Sequence, residues 1–244
     1  MNLVQSEPGF VLHERPYRET SALLEVLTRD HGRIGVVVRG LRAIKPRIQR
    51  GSVRAFQCLS LDLRLVGDLG QLISVETLGH PLHLQGESLR AGLYINELIA
   101  RMTERHDPHP EIFARYAQLL TELGAVDALA WTLRRFERDL LALLGYGLLL
   151  THVFDEGSAL DPDRSYQYLP EQGPRALTNP RAMPQCKGSA LLALAEDEMP
   201  TKEDLASLRL LMRALIRHHL GGRELDAWRV LSSYRAKPPE TAQD

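Results

Sequence analysis

The chain has 244 residues, 44% of them apolar and 25% charged, and a formal net charge of -1, the composition of an ordinary globular protein of one large or two modest domains. Its two cysteines, Cys58 and Cys186, stand 128 positions apart without any CxxC pair, which excludes a disulfide framework and a four-thiolate zinc site and points to the cytosol. No apolar run approaches the roughly 20 residues that cross a bilayer, and "MNLVQSEPGF" lacks the basic-then-apolar pattern of a secretion signal, so a cytoplasmic protein with no membrane role is expected. The charge is sorted by region: residues 31–61 hold seven Lys and Arg and no acid, leaving -8 for the rest of the chain.

In chain order, Phe10 to about Leu78 has strand character. "GFVLH" and "SALLEVLT" are short β-rich runs, and "RDHG" supplies a turn into "RIGVVVRG", which makes a hairpin. In "CLSLDLRLV", Leu59, Leu61, Leu63 and Leu65 alternate with Ser60, Asp62 and Arg64, as a half-buried strand requires, and "GDLG" turns the chain back into "QLISVETL". Five short strands without a helical period between them predict a small β-barrel of the oligonucleotide-binding type, with a β-sandwich fragment as the structural alternative.

The period changes after Gly79. Ala91, Ile95, Leu98, Ile99 and Met102 recur at helical spacing, as do Leu129, Leu133, Phe136, Leu140 and Leu143, and another helix is expected from Glu111 to Leu123. A last helix begins at Thr201 as N-cap, with Asp204 three residues on, buries Leu205, Leu208, Met212, Leu215 and Ile216, and stops at Gly221 and Gly222. Between them, residues 155–184 turn polar and rich in Pro and Gly, an ordered excursion or small hairpin in which "YQYLP" is a short strand. The fold class is therefore α+β multidomain: an N-terminal OB-fold β-barrel over residues 1–80, a mainly helical C-terminal domain over 81–235, and a flexible tail at 236–244.

The chemistry concentrates in "RGLRAIKPRIQRGSVRAF". Arg39, Arg42, Lys45, Arg47, Arg50 and Arg54 fall within sixteen residues, and no Asp or Glu occurs between Asp30 and Asp62. Two glycines, a proline and no apolar period make this a loop, and loops beside a small barrel are where oligonucleotides are gripped. Arg binds phosphate through a planar fork and Lys through a compact charge, so the segment reads as a polyanion site; a merely solvated loop is the plainer reading. Phe56 and Tyr17 are the aromatics placed to stack on bases, although a lone aromatic in a β domain is usually core.

The histidine pairs His80/His83 and His106/His109 have ligand-like spacing, but Pro interrupts each and no thiolate pair accompanies them, so surface or capping roles fit them better. His218 and His219 suit the end of a helix, and Asp155, Glu156, Asp161 and Asp163 suit a solvated loop. The phosphate-loop, dinucleotide, zincin and nucleophile-elbow motifs are all missing, so no catalytic residue, metal or cofactor is assigned and no enzyme is expected. "WTLRRFERDLLALLGYG" sets Arg134, Arg135 and Arg138 beside a Leu/Phe stripe, which would suit a short acidic, aromatic peptide or simply a core helix with a wet face.

Four blocks carry a resemblance: "GFVLHERPYRETSALLEVLTRDHGRIGVVVRGLR", "GLYINELIARM", "LRRFERDLLALLGYG" and "HHLGGRELDAWRVL". Together and in this order, from about Gly9 to Tyr234, they resemble the bacterial recombination mediator family RecO. The resemblance implies a DNA repair and recombination protein that binds single- and double-stranded DNA and anneals complementary strands. It further implies action with RecR, recognition of the acidic C-terminal tail of the single-strand-binding protein SSB, and help in loading RecA on SSB-coated DNA, in a cytoplasmic, nucleoid-associated protein that is a monomer on its own. It makes Arg39, Arg42, Lys45, Arg47, Arg50 and Arg54 the DNA-binding residues, with Arg33 extending them along the neighbouring strand, and Arg134, Arg135 and Arg217 the residues for the SSB tail. Many family members hold zinc with two CxxC pairs in the excursion. Here Val153 and Glu156 stand where the first pair would fall, and Cys186 is at best a remnant of the second, so no zinc is expected. The rival reading is a non-enzymatic interaction scaffold whose basic loop docks an acidic protein.

Overall fold

A computed structural model describes residues 2–80, 82–124, 128–179, 181 and 183–228; the expected tail at 236–244 lies outside them. Five strands, β1 (Asn2–Tyr17), β2 (Ser21–Thr28), β3 (Arg33–Val38), β4 (Cys58–Val66) and β5 (Leu69–Thr77), close into a barrel in the order β1-β2-β3-β5-β4. β1 closes the circuit on β4, and β3–β5 is the one parallel pairing among the five. The expected OB-like barrel is therefore what the N-terminal region forms. The alternation of β4 works as the pattern requires: Leu59, Leu61 and Leu63 are buried with Val11, Leu24, Val26, Ile34 and Val36 from the strands around them.

β1 is longer than its sequence pattern suggested, beginning at Asn2 rather than Phe10. Its first half pairs with β4 and its second with β2, and the pairing is offset at a bulge between Val4 and Glu7 and at another between Val11 and His13. The first bulge hides the strand from a reading by alternation, because Ser6 sits there at φ 54° and the polar "QSEP" breaks the period. The second leaves Leu12 without a Cα partner on β2, and its carbonyl accepts from Asn96 Nδ2 at 3.1 Å.

Asn96 lies on α1 (Gly86–Met102), and its Oδ1 accepts from the Tyr116 hydroxyl of α2 (Pro110–Leu123) at 2.6 Å. One buried amide thus ties a strand and two helices together. Around it, Phe10 of β1 meets Phe113 and Tyr116 with ring centroids 5.0 Å apart in each case. β1 is consequently buried on both sides here, Val11 inside the barrel and Phe10 beneath helices, which explains why Phe10, Val11 and Leu12 are consecutive apolar residues before His13 returns to the surface. Burial lifts the Tyr116 phenol far above its ordinary pKa against the pull of the Asn96 bond, so it is a fixed donor. The Glu97 carboxylate of α1 accepts from the backbone of Asp226 and Ala227, at 2.8 Å each.

The character of the chain changes from strands to helices beyond residue 80, yet compactness groups α1 and α2 with the barrel, in one unit of residues 1–124 with 224–244; the other covers 125–223. The second unit holds α3 (Leu129–Leu143), an antiparallel sheet ordered β7-β6-β8, α4 (Gly188–Glu196) and α5 (Lys202–His219). β6 (Ser165–Leu169) is the "YQYLP" strand, and β7 (Gly173–Ala176) pairs with it antiparallel in the small hairpin expected there, while β8 (Gln185–Lys187) and α4 had no signal in the sequence pattern. α5 starts as its capping residues dictate, with Thr201 Oγ1 accepting from the Asp204 N–H at 3.1 Å.

Tyr116→Phe keeps the ring and removes one donor, leaving Asn96 Oδ1 unsatisfied among buried groups. Its unfolding free energy, measured by urea titration, is expected to fall by about 1–3 kcal/mol; unchanged stability would show that the amide bridge does not hold the helices.

Candidate nucleic-acid interface

Register decides where the basic segment goes. Tyr17 pairs with Ser21 and Ala22 with Val38, so the β1–β2 turn and the exit of β3 share one end of the barrel. Residues 39–57 run from that exit to β4. The loop is moored at several points: Leu41 and Val53 are each 2% exposed in the barrel core, Ile48 packs against that core, and Arg42 N–H donates to Thr20 O at 2.8 Å. Gly40 turns the chain out of β3 at φ 69°, a conformation that costs other residues steric strain.

Between these moorings the cations face water. Arg39, Arg42, Lys45, Arg47 and Arg54 are exposed, and among the described residues none of them has an ion-pair or side-chain hydrogen-bond partner. Arg50 differs, since its Nη2 lies 3.2 Å from Glu14 Oε1. Five uncompensated charges on one loop make a local positive field that the near-zero net charge of the chain conceals. The turn beside the loop adds Arg18, exposed at φ 54° with its guanidinium 5.4 Å from the centre of the Tyr17 ring. The sequence reading missed Arg18 because it lies more than twenty positions upstream of the basic loop; the strand pairing was the signal that would have found it.

Arg33 is placed otherwise than expected. It opens β3, at the far end from the loop, roughly 17 Å away by strand rise. There Nη1 pairs with Glu25 at 2.9 Å, while Nε and Nη2 donate to the hydroxyl and carbonyl of Thr103 at 3.2 and 2.8 Å. Arg105 pairs with the same Glu25. Arg33 therefore has its donors committed within the barrel and the residues after α1, and it does not extend the loop surface.

The two aromatics also separate. Phe56, at φ 64° and 8% exposed, lies so close to α1 that a Cβ on Gly92 would stand 2.7 Å from its ring, so it is core and not a stacking platform. Tyr17 is half-buried beside Arg18.

In the second unit the three residues expected to hold an acidic peptide are not gathered together. Arg134 is buried in an ion pair with Glu137 one turn on, which removes it from any rim. Arg135 pairs with Asp197 at 3.1 Å. Arg217 is exposed near the end of α5 and donates to Gly222 O at 3.2 Å. Tyr146 stacks on His219 with centroids 4.1 Å apart, which brings the C-terminal ends of α3 and α5 together; Arg135 lies about 12 Å back along α3 from that end.

The residues of the excursion do not fit the zinc that many family members hold. Where the first thiolate pair would fall, the segment folds as a turn, with Phe154 under the Arg175 guanidinium and Asp155 paired to Arg175 at 3.0 Å. Cys186 is buried in β8 beside Ser207, and desolvation pushes its thiol up to about 11, so it stays protonated. Among the described residues no three His, Cys, Asp or Glu side chains are grouped to hold a metal.

A closed five-stranded OB-like barrel carrying an exposed cationic loop at one end, followed by helices, defines the class of small-barrel oligonucleotide-binding proteins. Two family models divide the chain between them: "Recombination protein O N terminal" over residues 1–80 and "Recombination protein O C terminal" over residues 83–229. The chain belongs to the RecO family. A protein of Stenotrophomonas maltophilia named DNA repair protein RecO is 44% identical over 238 residues, covering 96% of this chain and 99% of that protein. Proteins of the same name from Xylella fastidiosa and Xanthomonas oryzae pv. oryzae are 41% and 43% identical, covering 96% and 94% of this chain and 97% of each relative.

Asp197, beyond the end of α4, is gripped by Arg138 at 2.7 Å as well as by Arg135. The Arg138 bond holds its carboxyl below the usual range, Arg135 assists, and partial burial opposes them. A depressed carboxylate stabilises the fold above its unfolded pKa, and that contribution disappears as pH falls through the folded value. Asp197→Asn is therefore expected to melt below the wild type at pH 7, with the difference closing as the pH is lowered from about 4. A difference independent of pH would show that the charge is immaterial.

Proposed function

We propose that this protein acts in DNA repair and recombination by binding DNA through the loop of residues 39–54, without covalent catalysis. The observation that carries the reading is the set of five exposed, unpaired cations, Arg39, Arg42, Lys45, Arg47 and Arg54, moored to an OB-like barrel in a chain of the RecO family. A surface that neutralises phosphates lowers the repulsion between two strands, and holding both raises their local concentration, so annealing of complementary strands needs no reacting group. The helical region supplies the protein contacts: the acidic tail of SSB, RecR, and through them the loading of RecA on coated DNA. Family membership supports that part, and Arg217 is the one of the three expected cations that is both exposed and without an acidic partner among the described residues. Among the described residues no helix is long and apolar enough to cross a membrane, which accords with a cytoplasmic place of action.

The test is binding of a fluorescent single-stranded oligonucleotide across a salt series. On single strands log K falls with log salt by roughly 0.7 per phosphate contact, so changing Arg42, Lys45, Arg47 and Arg54 to Ala should weaken binding and flatten the slope by up to about 3. All four side chains are exposed, so the variant should melt with the wild type. Arg50→Ala, which loses a cation already paired to Glu14, should do less than any single change among the four. A wild-type slope near zero, or unchanged binding by the quadruple variant, would overturn the assignment. Tight binding of an acidic protein with negligible affinity for oligonucleotides would favour the scaffold reading instead.

A further inference from the structure

The basic loop carries a side chain that phosphate binding does not explain. Ile44 is 100% exposed, and the next most exposed large apolar residue on the described surface is Met183, at 63%. A single apolar side chain in water is ordinary on a protein surface. Ile44 differs from that background in position and company. Its own loop buries Leu41 three residues before it and partly buries Ile48 four residues after it, so apolar side chains that serve the fold point into the barrel and this one points away. Arg42, Lys45 and Arg47 lie within three residues of it in the chain, exposed and unpaired among the described residues, and Pro46 stiffens the chain just after it. The result is an exposed apolar side chain with exposed cations close on either side of it in the chain. No other exposed apolar side chain on this loop competes with it, because Leu41, Val53 and Phe56 are buried.

We infer that Ile44 is a base-contacting residue: while the flanking cations hold phosphates, it packs against or between nucleobases and so gives the loop a preference for single strands. This rests on the DNA-binding reading of the loop. The geometry of the ligand supplies the rest of the argument. In a polynucleotide the phosphates flank the bases, so a loop that presents an apolar side chain between flanking cations matches a strand laid with its bases toward the protein. Side chains such as Ile act as wedges because a base step that opens exposes two flat apolar faces. A single strand opens its steps at little cost, whereas a duplex must unstack and unpair, so an apolar tip adds more to single-strand binding than to duplex binding. An aromatic is not required, since every base offers an apolar face whatever its identity, and the contact carries no sequence preference.

The experiment uses the full chain with Ile44→Ser and the conservative Ile44→Leu, each checked for an unchanged melting temperature. Three probes of equal length are titrated: a single strand carrying 2-aminopurine, whose fluorescence rises when it unstacks, the corresponding duplex, and an abasic phosphodiester strand. Ile44→Ser should bind the single strand about fivefold more weakly, the effect of losing roughly half the burial of one Ile. Its salt slope should be unchanged, the fluorescence rise should be lost, and affinity for the abasic strand should equal that of the wild type. Ile44→Leu should restore both affinity and fluorescence. Equal binding of all probes by Ile44→Ser and wild type, or an equal loss on the abasic strand, would overturn the base contact while leaving the phosphate-binding loop standing. Failure of the quadruple Arg/Lys variant to lose affinity would overturn both, which separates the two failures.

Discussion

The first unit depends on the amide of Asn96. It is buried, and a buried amide with unmet donors or acceptors costs more than a lost contact. Its two bonds are not interchangeable: the nitrogen needs a carbonyl free of the β-ladder, and the oxygen needs a donor, which Tyr116 supplies. The carbonyl is that of Leu12, at the position where β1 slips out of register with β2. The bulge is therefore part of how α1 and α2 are seated, and Phe10 with its two aromatic neighbours adds apolar area around a polar centre that fixes the geometry.

From that seat follows the division of labour around the barrel. The end with Arg33, Glu25, Arg105 and Thr103 is closed by ion pairs and hydrogen bonds to the segment after α1, so its charge is internal. The other end is left to the loop of residues 39–57, held by Leu41, Ile48 and Val53 in the core while its cations stay in water. Arginines on the same barrel thus have opposite fates. What separates them is the presence of a carboxylate within reach: Arg33 has Glu25, Arg50 has Glu14, and the five other cations of the loop have none among the described residues.

Much of this was legible in the residues. The alternation in β4, the helical periods of α1, α2, α3 and α5, and the Thr201 cap are local patterns, fixed by side-chain direction and by nearby hydrogen bonds, and each appears where the pattern put it. The first half of β1 was not legible, because its bulge at Ser6 breaks the period that makes a strand visible. β8 is three residues long, too short for any period, and α4 is too uniformly apolar to show one face.

The sequence by itself determined the class of fold, the family, and the loop in which positive charge is concentrated, because composition and short-range periodicity are properties of neighbouring residues. Tertiary structure alone decided which charges are available. Arg33 and Arg50 are as basic in the sequence as Arg42 or Lys45, yet Glu25 and Glu14 reach them from other strands of the barrel. It also decided that Phe56 faces inward and Ile44 outward, since exposure depends on what the rest of the chain brings against a residue and not on the residue alone.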